Sequence, residues 1–386
     1  LTKELVMKRD IFEPEHDEFR ATARAFYEKE VAPHTAEWEH AGITDREVWL
    51  KAGETGLLGW EAPEEFGGQG ITDFKFNAIM TEEYYATGST GVGFGLQNDI
   101  MASYLVHMTT DEQKERWLPG FVSGELITAV AMSEPGAGSD LASIRTTAVR
   151  DGDDYVINGA KTFISSGILA DLVVTAVKTD PEKGHKGVSL IAVEADAPGF
   201  TKGRKLDKIG ARAADTAELS YTDVRVPATN LIGEENRGFY HLMRNLPAER
   251  LGIAIHAVAQ ARRALELTRV YAQERKAFGQ AIGTFQVNRH AIADMSVLLD
   301  VMQVYVDRCI AGVNNGTLTA EEAAGAKLWT TEQQWQIIDR CLQLHGGYGY
   351  INEYEIARLW RDARVQRIYG GTSEIMRDLI GRKMGF

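Results

Sequence analysis

Cysteine is almost missing from this chain. Its 386 residues include 2 Cys, Cys309 and Cys341, both inside apolar stretches that read as helix, and no C-x-x-C pair. A disulfide framework and a zinc site are thereby disfavoured, and a reducing compartment is the expectation: cytoplasm, or mitochondrial matrix in a eukaryote. Long apolar runs are also missing. No stretch of about eighteen apolar residues occurs, so no transmembrane helix is expected. The N-terminus, Leu-Thr-Lys-Glu-Leu-Val-Met-Lys-Arg-Asp, has no signal-peptide apolar core. An opening Leu1 in place of Met is compatible with removal of a short leader. Positive charge is in short supply: 42 Lys and Arg face 55 Asp and Glu, a net charge of −13. General nucleic-acid binding depends on neutralising phosphates and is disfavoured by that balance. What remains is ordinary for a water-soluble globular protein, 44% hydrophobic and 25% charged, and long enough for two or three packed units.

Three zones differ in periodicity. Residues 1–125 place apolar residues at helical spacing over 15–31, 45–55 and 74–85, punctuated by Gly67-Gly68 and Gly70. Residues 126–234 turn to short strand-like runs at 127–132, 155–157, 162–165, 172–177, 188–193 and 217–221. Asp151-Gly152, Asn158-Gly159 and Pro198-Gly199 are read as turns between them. No long helical pattern interrupts, so antiparallel pairing is expected. Residues 235–386 are helical again: 248–277, closed by Gly279 as a C-cap, then 285–314 and 320–344. No internal repeat or low-complexity segment appears.

Four motifs are candidates for chemistry. Ser133-Glu134-Pro135-Gly136-Ala137-Gly138-Ser139-Asp140 follows a strand. It is not a dinucleotide fingerprint, because the third glycine falls on Leu141 and no βαβ unit surrounds it; taken alone it is a tight turn. Lys161-Thr162-Phe163-Ile164-Ser165 puts an aromatic ring and a hydroxyl on one strand face, suited to stacking on a planar ring, although an ordinary half-buried strand reads the same way. Gln343-Leu344-His345-Gly346-Gly347-Tyr348-Gly349-Tyr350 ends a helix in glycines that admit close approach; His345 reads first as a satisfied helix-end histidine. Tyr369-Gly370-Gly371-Thr372-Ser373-Glu374 reads as an N-cap that opens a final helix and can hold an anion.

Together, in this order, these stretches resemble the acyl-CoA dehydrogenase family along almost the full chain, and the long-chain enzymes above others. Glu274-Arg275-Lys276-Ala277-Phe278-Gly279, Leu246-Pro247-Ala248-Glu249-Arg250-Leu251 and Arg364-Val365-Gln366-Arg367-Ile368 add to the match. The resemblance implies an α+β multidomain fold: an N-terminal helical bundle, a middle antiparallel β domain and a C-terminal four-helix bundle. It implies FAD, with Val130, Ala131, Met132, Ser133, Gly138 and Ser139 along the flavin's pyrimidine side and Phe163, Ile164 and Ser165 near its reactive edge. Arg275, Phe278, Gln286, Gln343, Leu344, His345, Gly346 and Gly347 would bind the pyrophosphate and adenosine across a subunit boundary. Thr372, Ser373 and Glu374 would close over the cofactor. Ser139, Tyr240, Pro247, Arg250 and Gly371 would touch acyl-CoA, with His185 and Lys186 beside them.

The family places its catalytic glutamate at one of two positions. The commoner one here is Gly370, which has no side chain; the alternative is Glu249. The resemblance therefore implies Glu249 as the base, with the Gly370 N–H polarising the thioester carbonyl where charge develops and a hydride passing to the flavin. Gly370 is expected to leave room for a carboxylate from the other side. Pro247 is read as the first helical residue, which puts Glu249 in a first turn where the helix dipole favours the carboxylate; a surface glutamate beside Arg250 is the plainer reading. The implied reaction is α,β-dehydrogenation of a medium to long or branched acyl-CoA in fatty-acid β-oxidation, with electrons passed to an electron-transfer flavoprotein by a homotetramer. An acyl-CoA oxidase of the same fold using oxygen, and a flavin-free binding relative, are the alternatives.

Overall fold

The computed structural model describes residues 7–386; the first six positions, including the opening Leu1 and most of the N-terminal stretch discussed above, lie outside the described residues. Six helices come first: α1 (Pro14–Phe26), α2 (Thr35–Ala41), α3 (Glu47–Glu54), α4 (Lys75–Ala86), α5 (Ala102–His107) and α6 (Asp111–Ser123). Pro14 starts α1 where its missing N–H costs nothing. Thr110 and Gln113 cap α6 reciprocally. Just before α5 the chain makes a π-helical turn, Leu96–Met101. This layer closes on an aromatic core of Phe26, Trp38, Trp49, Trp60 and Phe94.

Eight strands follow: β1 (Thr128–Ala131), β2 (Thr147–Asp151), β3 (Asp154–Ser165), β4 (Leu172–Lys178), β5 (Val188–Glu194), β6 (Phe200–Lys205), β7 (Thr216–Pro227) and β8 (Leu231–Ile232). The sheet order is β6-β7-β3-β2-β4-β5-β8, with β1 paired to β4. Most pairs are antiparallel, but β1–β4 is parallel, with Thr128 opposite Leu172 and Ala131 opposite Thr175, so the sheet is mixed and not antiparallel throughout. The Asp151-Gly152 turn forms as expected, between β2 and β3. Asn158-Gly159 does not turn the chain. It lies inside the single long strand β3, where the register against β7 shifts between Ile157 and Gly159. A Cβ at Gly159 would lie 2.5 Å from Thr146 Oγ1, so this glycine serves close approach of a neighbouring backbone.

The C-terminal layer contains α7 (Gly238–Glu274), a hairpin of β9 (Lys276–Ala277) and β10 (Gln280–Ala281), α8 (Gln286–Asn314), α9 (Ala320–His345), α10 (Glu355–Ala363) and α11 (Ser373–Lys383). Leu251, Val258, Leu299, Met302, Ile337 and Ile338 fill the core between α7, α8 and α9. Cys309 and Cys341 are buried free thiols on α8 and α9. Two expectations are corrected. Gly279 does not cap the long helix, which ends at Glu274; Phe278 (φ 52) and Gly279 (φ 81) form the two-residue tip of the β9–β10 hairpin, a pair of left-handed residues that matches the twist of its strands. Pro247 does not begin a helix. It sits inside the 37-residue α7, whose preceding turns carry the buried Leu242, Asn245 and Leu246 and are held by that packing. Glu249 is therefore mid-helix, and no helix-terminus charge acts on it.

Among the described residues no helix is long and apolar enough to cross a membrane, and no cluster of His, Cys, Asp or Glu suits a metal ion.

Candidate active site

Glu249 is a buried carboxyl. It is only 6% exposed, which rules out the surface glutamate. Its Oε1 accepts a hydrogen bond of 3.3 Å from the hydroxyl of Tyr104, on α5. Burial drives its pKa up to about 7, and the Tyr104 hydrogen bond and the Arg250 charge oppose that rise. An acid held there is poised to take a proton near neutral pH. Tyr104 escaped sequence reading because nothing in Ala102–His107 marks one tyrosine as facing a residue far along the chain.

The residue after Glu249 and a lysine of α9 together hold the Gly370-Gly371 loop. Arg250 Nε donates to the Gly370 carbonyl at 3.3 Å, and Lys327 Nζ, from α9, donates to the Gly371 carbonyl at 2.5 Å. Arg250 and Lys327 are themselves 5% and 1% exposed. Gly370 has φ 65, and a Cβ there would lie 2.4 Å from Ile253 Cδ1. The expected room on the far side is thus filled by Ile253, and a side chain at 370 needs both a left-handed backbone and displacement of that methyl. The adjoining Thr372 caps α11, accepting from the Ile375 N–H. Ser373 turns inward to Glu332 at 2.7 Å, while Glu374 is exposed.

A second group gathers at the end of β1. Thr162 N–H donates to the Ser133 carbonyl at 3.0 Å, and Lys161 Nζ donates to the Met132 carbonyl at 3.0 Å and to Glu134 Oε1 at 2.9 Å. These bonds lash Met132 and Ser133 to the strand that carries Phe163 and Ser165. A register shift between Lys161 and Ile164 turns Phe163 outward with φ 61 and its ring 70% exposed. Ser165 is exposed on the same face, whereas Ala131 and Ile164 are buried and Val130 is half-buried, so these three offer mainly backbone. Glu134 to Ala137 is the tight turn expected, with Gly138 and Ser139 exposed beyond it. His185 and Lys186 occupy a 3-10 segment, Pro181–Gly187. The His185 ring meets Phe239 at 5.3 Å, next to Tyr240, over which Arg237 stacks at 4.6 Å.

A third group sits at one end of the C-terminal bundle. His345 is buried, its Nδ1 2.9 Å from the Cys341 carbonyl, its ring stacked on Tyr271 at 4.3 Å, so it is a satisfied helix-end histidine. Arg275 lies over Tyr348 at 5.6 Å, and Phe278 meets Phe285 at 6.2 Å, beside Gln286 at the start of α8. Gln343 is exposed and Leu344 half-buried. A Cβ at Gly346 or Gly347 would meet nothing within 4 Å, so this turn lies open to a ligand. Among the described residues, no hydrogen bond, ion pair or ring contact joins this third group to Met132, Ser133 or Phe163.

Family models match most of the chain in three parts: acyl-CoA dehydrogenase N-terminal domain over residues 13–125, middle domain over 129–224 and C-terminal domain over 236–385. The mitochondrial long-chain specific acyl-CoA dehydrogenase of Sus scrofa is 47% identical over 378 residues, which cover 97% of this chain and 88% of that protein. The crystal structure of an acyl-CoA dehydrogenase from Geobacillus kaustophilus is 48% identical, with a TM-score of 0.96 over 98% of this chain and 100% of that one. A glutaryl-CoA dehydrogenase from Mycobacterium smegmatis, solved in complex with FADH2, is 27% identical with a TM-score of 0.89 over 97% of this chain and 95% of that one.

Proposed function

The chain belongs to the acyl-CoA dehydrogenase family of FAD-dependent oxidoreductases, and from that premise we propose that it converts a medium to long or branched acyl-CoA to the trans-2-enoyl-CoA, with Glu249 as the base. The observation that carries this reading is the buried Glu249 carboxyl, adjacent in sequence to the Arg250 that bonds the Gly370 carbonyl, with no side chain at position 370 to act in its place.

The residues present fit FAD. Phe163 offers an exposed ring beside Ser165, and the Gly346-Gly347 turn and the 95% exposed Phe278 offer room and a flat apolar surface. Bound FAD supplies the two-electron acceptor for the hydrogen at the β carbon. Everything else falls to the protein. Glu249 removes the α proton. Arg250 and Lys327 hold the loop so that the Gly370 N–H meets the thioester oxygen as it gains charge. Walls of buried side chains around Glu249 exclude water and keep it basic. Tyr240, with Ser139, His185, Lys186, Pro247 and Gly371, borders the entry for the CoA portion. Anaerobic titration of the holoenzyme with acyl-CoAs of graded length tests the reading. Bleaching of the flavin bands followed by reoxidation with an electron-transfer flavoprotein supports it. Absence of bleaching at every length overturns it, and stoichiometric peroxide in air in place of transfer to that partner marks an oxidase.

Tyr104→Phe removes the donor that favours ionised Glu249. The acid limb of the kcat/KM profile should then move to higher pH, with activity at pH 6 lowered about three- to tenfold and the alkaline plateau nearly kept. An unshifted limb in a pH-rate series counts against the Tyr104 contact.

The groups at Phe163 and at Gly346 belong to one cofactor only if a second copy of the chain brings its Arg275, Phe278 and Gln286 to the first copy's sheet. The exposed stripe Val297, Val301 and Val304 on α8 is apolar surface that a second copy would cover; two such dimers give the tetramer. Val301→Glu should shift the protein to smaller species in analytical ultracentrifugation and weaken FAD retention on dilution. An unchanged assembly would place the interface elsewhere.

A further inference from the structure

A cavity of about 150 Å³ lies along the same face of α7 as Glu249. Gly252 and His256 follow Glu249 by three and seven positions on that face, and the cavity is lined by His256, Asp99, Tyr84, Tyr85, Thr90 and Tyr369, among others. For a space that receives an alkyl chain, its wall is unusually polar. Asp99 sits in the π-helical turn Leu96–Met101 and is 9% exposed. Its Oδ1 accepts from Asn77 Nδ2 at 2.8 Å, while its Oδ2 has no hydrogen-bond partner among the described residues. His256 Nδ1 lies 3.3 Å from the Tyr85 hydroxyl, and its Nε2 likewise has no partner there. Both spare atoms face one glycine: a Cβ at Gly95 would lie 3.3 Å from His256 Nε2 and 3.5 Å from Asp99 Oδ2. Gly252 also faces Asp99 Oδ2, at 3.2 Å from its own added Cβ. A plain alkyl chain in this space would strip solvent from both atoms and leave them unpaired, at about 1–3 kcal/mol each, whereas a chain that pairs them avoids that cost.

Resting on the dehydrogenase reading, we infer that this cavity selects acyl chains bearing a hydroxyl part-way along, which hydrogen-bonds Asp99 Oδ2 and His256 Nε2. A hydroxyl suits the pair because it both donates and accepts. Burial lowers His256 to about 4 and raises Asp99 to about 7, so near neutral pH the ring is uncharged and Asp99 is about half protonated; a negatively charged chain group would find no counter-charge in them. Seven helical residues span about 10 Å. The hydroxyl therefore falls on the order of seven carbons beyond the carbon that Glu249 deprotonates.

The test is steady-state turnover of the holoenzyme with an artificial dye acceptor. Dodecanoyl-CoA is compared with hydroxydodecanoyl-CoAs carrying the hydroxyl at each carbon of the distal half. The best hydroxy isomer should exceed the plain chain in kcat/KM by about tenfold or more. Asp99→Leu should bring that ratio close to one. Gly95→Ala, at a residue with φ −62 that accepts alanine, should also reduce it by narrowing the space before both atoms, and it guards against failure of Asp99→Leu to fold. Plain chains turned over as well as every hydroxy isomer, or a preference undiminished in folded variants, overturn the inference while leaving the dehydrogenase reading intact. Failure of every chain to bleach the flavin overturns both.

Discussion

Glu249→Gln should slow reduction of the flavin by acyl-CoA about a thousandfold or more, while FAD stays bound and the chain stays folded. The substitution keeps the shape of the side chain and its Oε1, so Tyr104 retains an acceptor. It removes the single property the reaction needs, a group able to take the α proton. No other carboxyl is a ready substitute. Gly370 has no side chain, and Asp99 Oδ2 faces Gly252 and Gly95, not the residue that bonds the Gly370 carbonyl. The pH dependence carries the same signature. The base acts when ionised, and burial holds Glu249 at about 7, so kcat/KM of the parent should climb about tenfold per pH unit below that point and level above it. The limb vanishes in Glu249→Gln. Stopped-flow bleaching across pH decides the matter; parent-like bleaching in the mutant would remove Glu249 from the mechanism.

How much of this was legible in the sequence depends on the range of the interaction that fixes each feature. Helical periodicity is local, and 285–314 and 320–344 emerged as α8 and α9 nearly to the residue. The Thr372 cap was legible because capping spans three residues. Asn158-Gly159 misled because the turn signal is the same two residues that a crowded strand uses where Thr146 presses against it. Pro247 misled because proline suits a first turn, whereas buried Leu242 and Leu246 hold the helix through it. The parallel β1–β4 pair left no local trace at all, since strand direction is set by the path of the chain between the two. At the site, Glu249 and the Gly370-Gly371 loop came from motif resemblance. Tyr104, Lys327, Asp99 and His256 did not, because each is a buried polar group whose partner or cavity comes from a distant element.

Lys161 is the clearest case of such a group, and its removal should cost the most stability. Its side chain is fully buried and pairs with Glu134 at 2.9 Å. Glu134 also accepts the backbone N–H groups of Arg145 at 2.6 Å and Thr146 at 2.9 Å. Burial lowers Lys161 to about 8, which still leaves it charged at neutral pH, and its hydrogen bonds hold Glu134 below the ordinary carboxylate range. Lys161→Met strands that carboxylate without a counter-ion, at a cost of about 3–5 kcal/mol. It also frees the Met132 carbonyl, so the Met132-Ser133 edge loses one of its two ties to the strand of Phe163. A large fall in the thermal midpoint should therefore come with weaker FAD retention. Adding Glu134→Gln should restore much of the stability, because the charge that was left unpaired is gone while an amide oxygen still accepts one backbone N–H. Calorimetry of the single and double variants separates the two contributions. A single variant as stable as the parent would mean that the pair's attraction does no more than offset its burial.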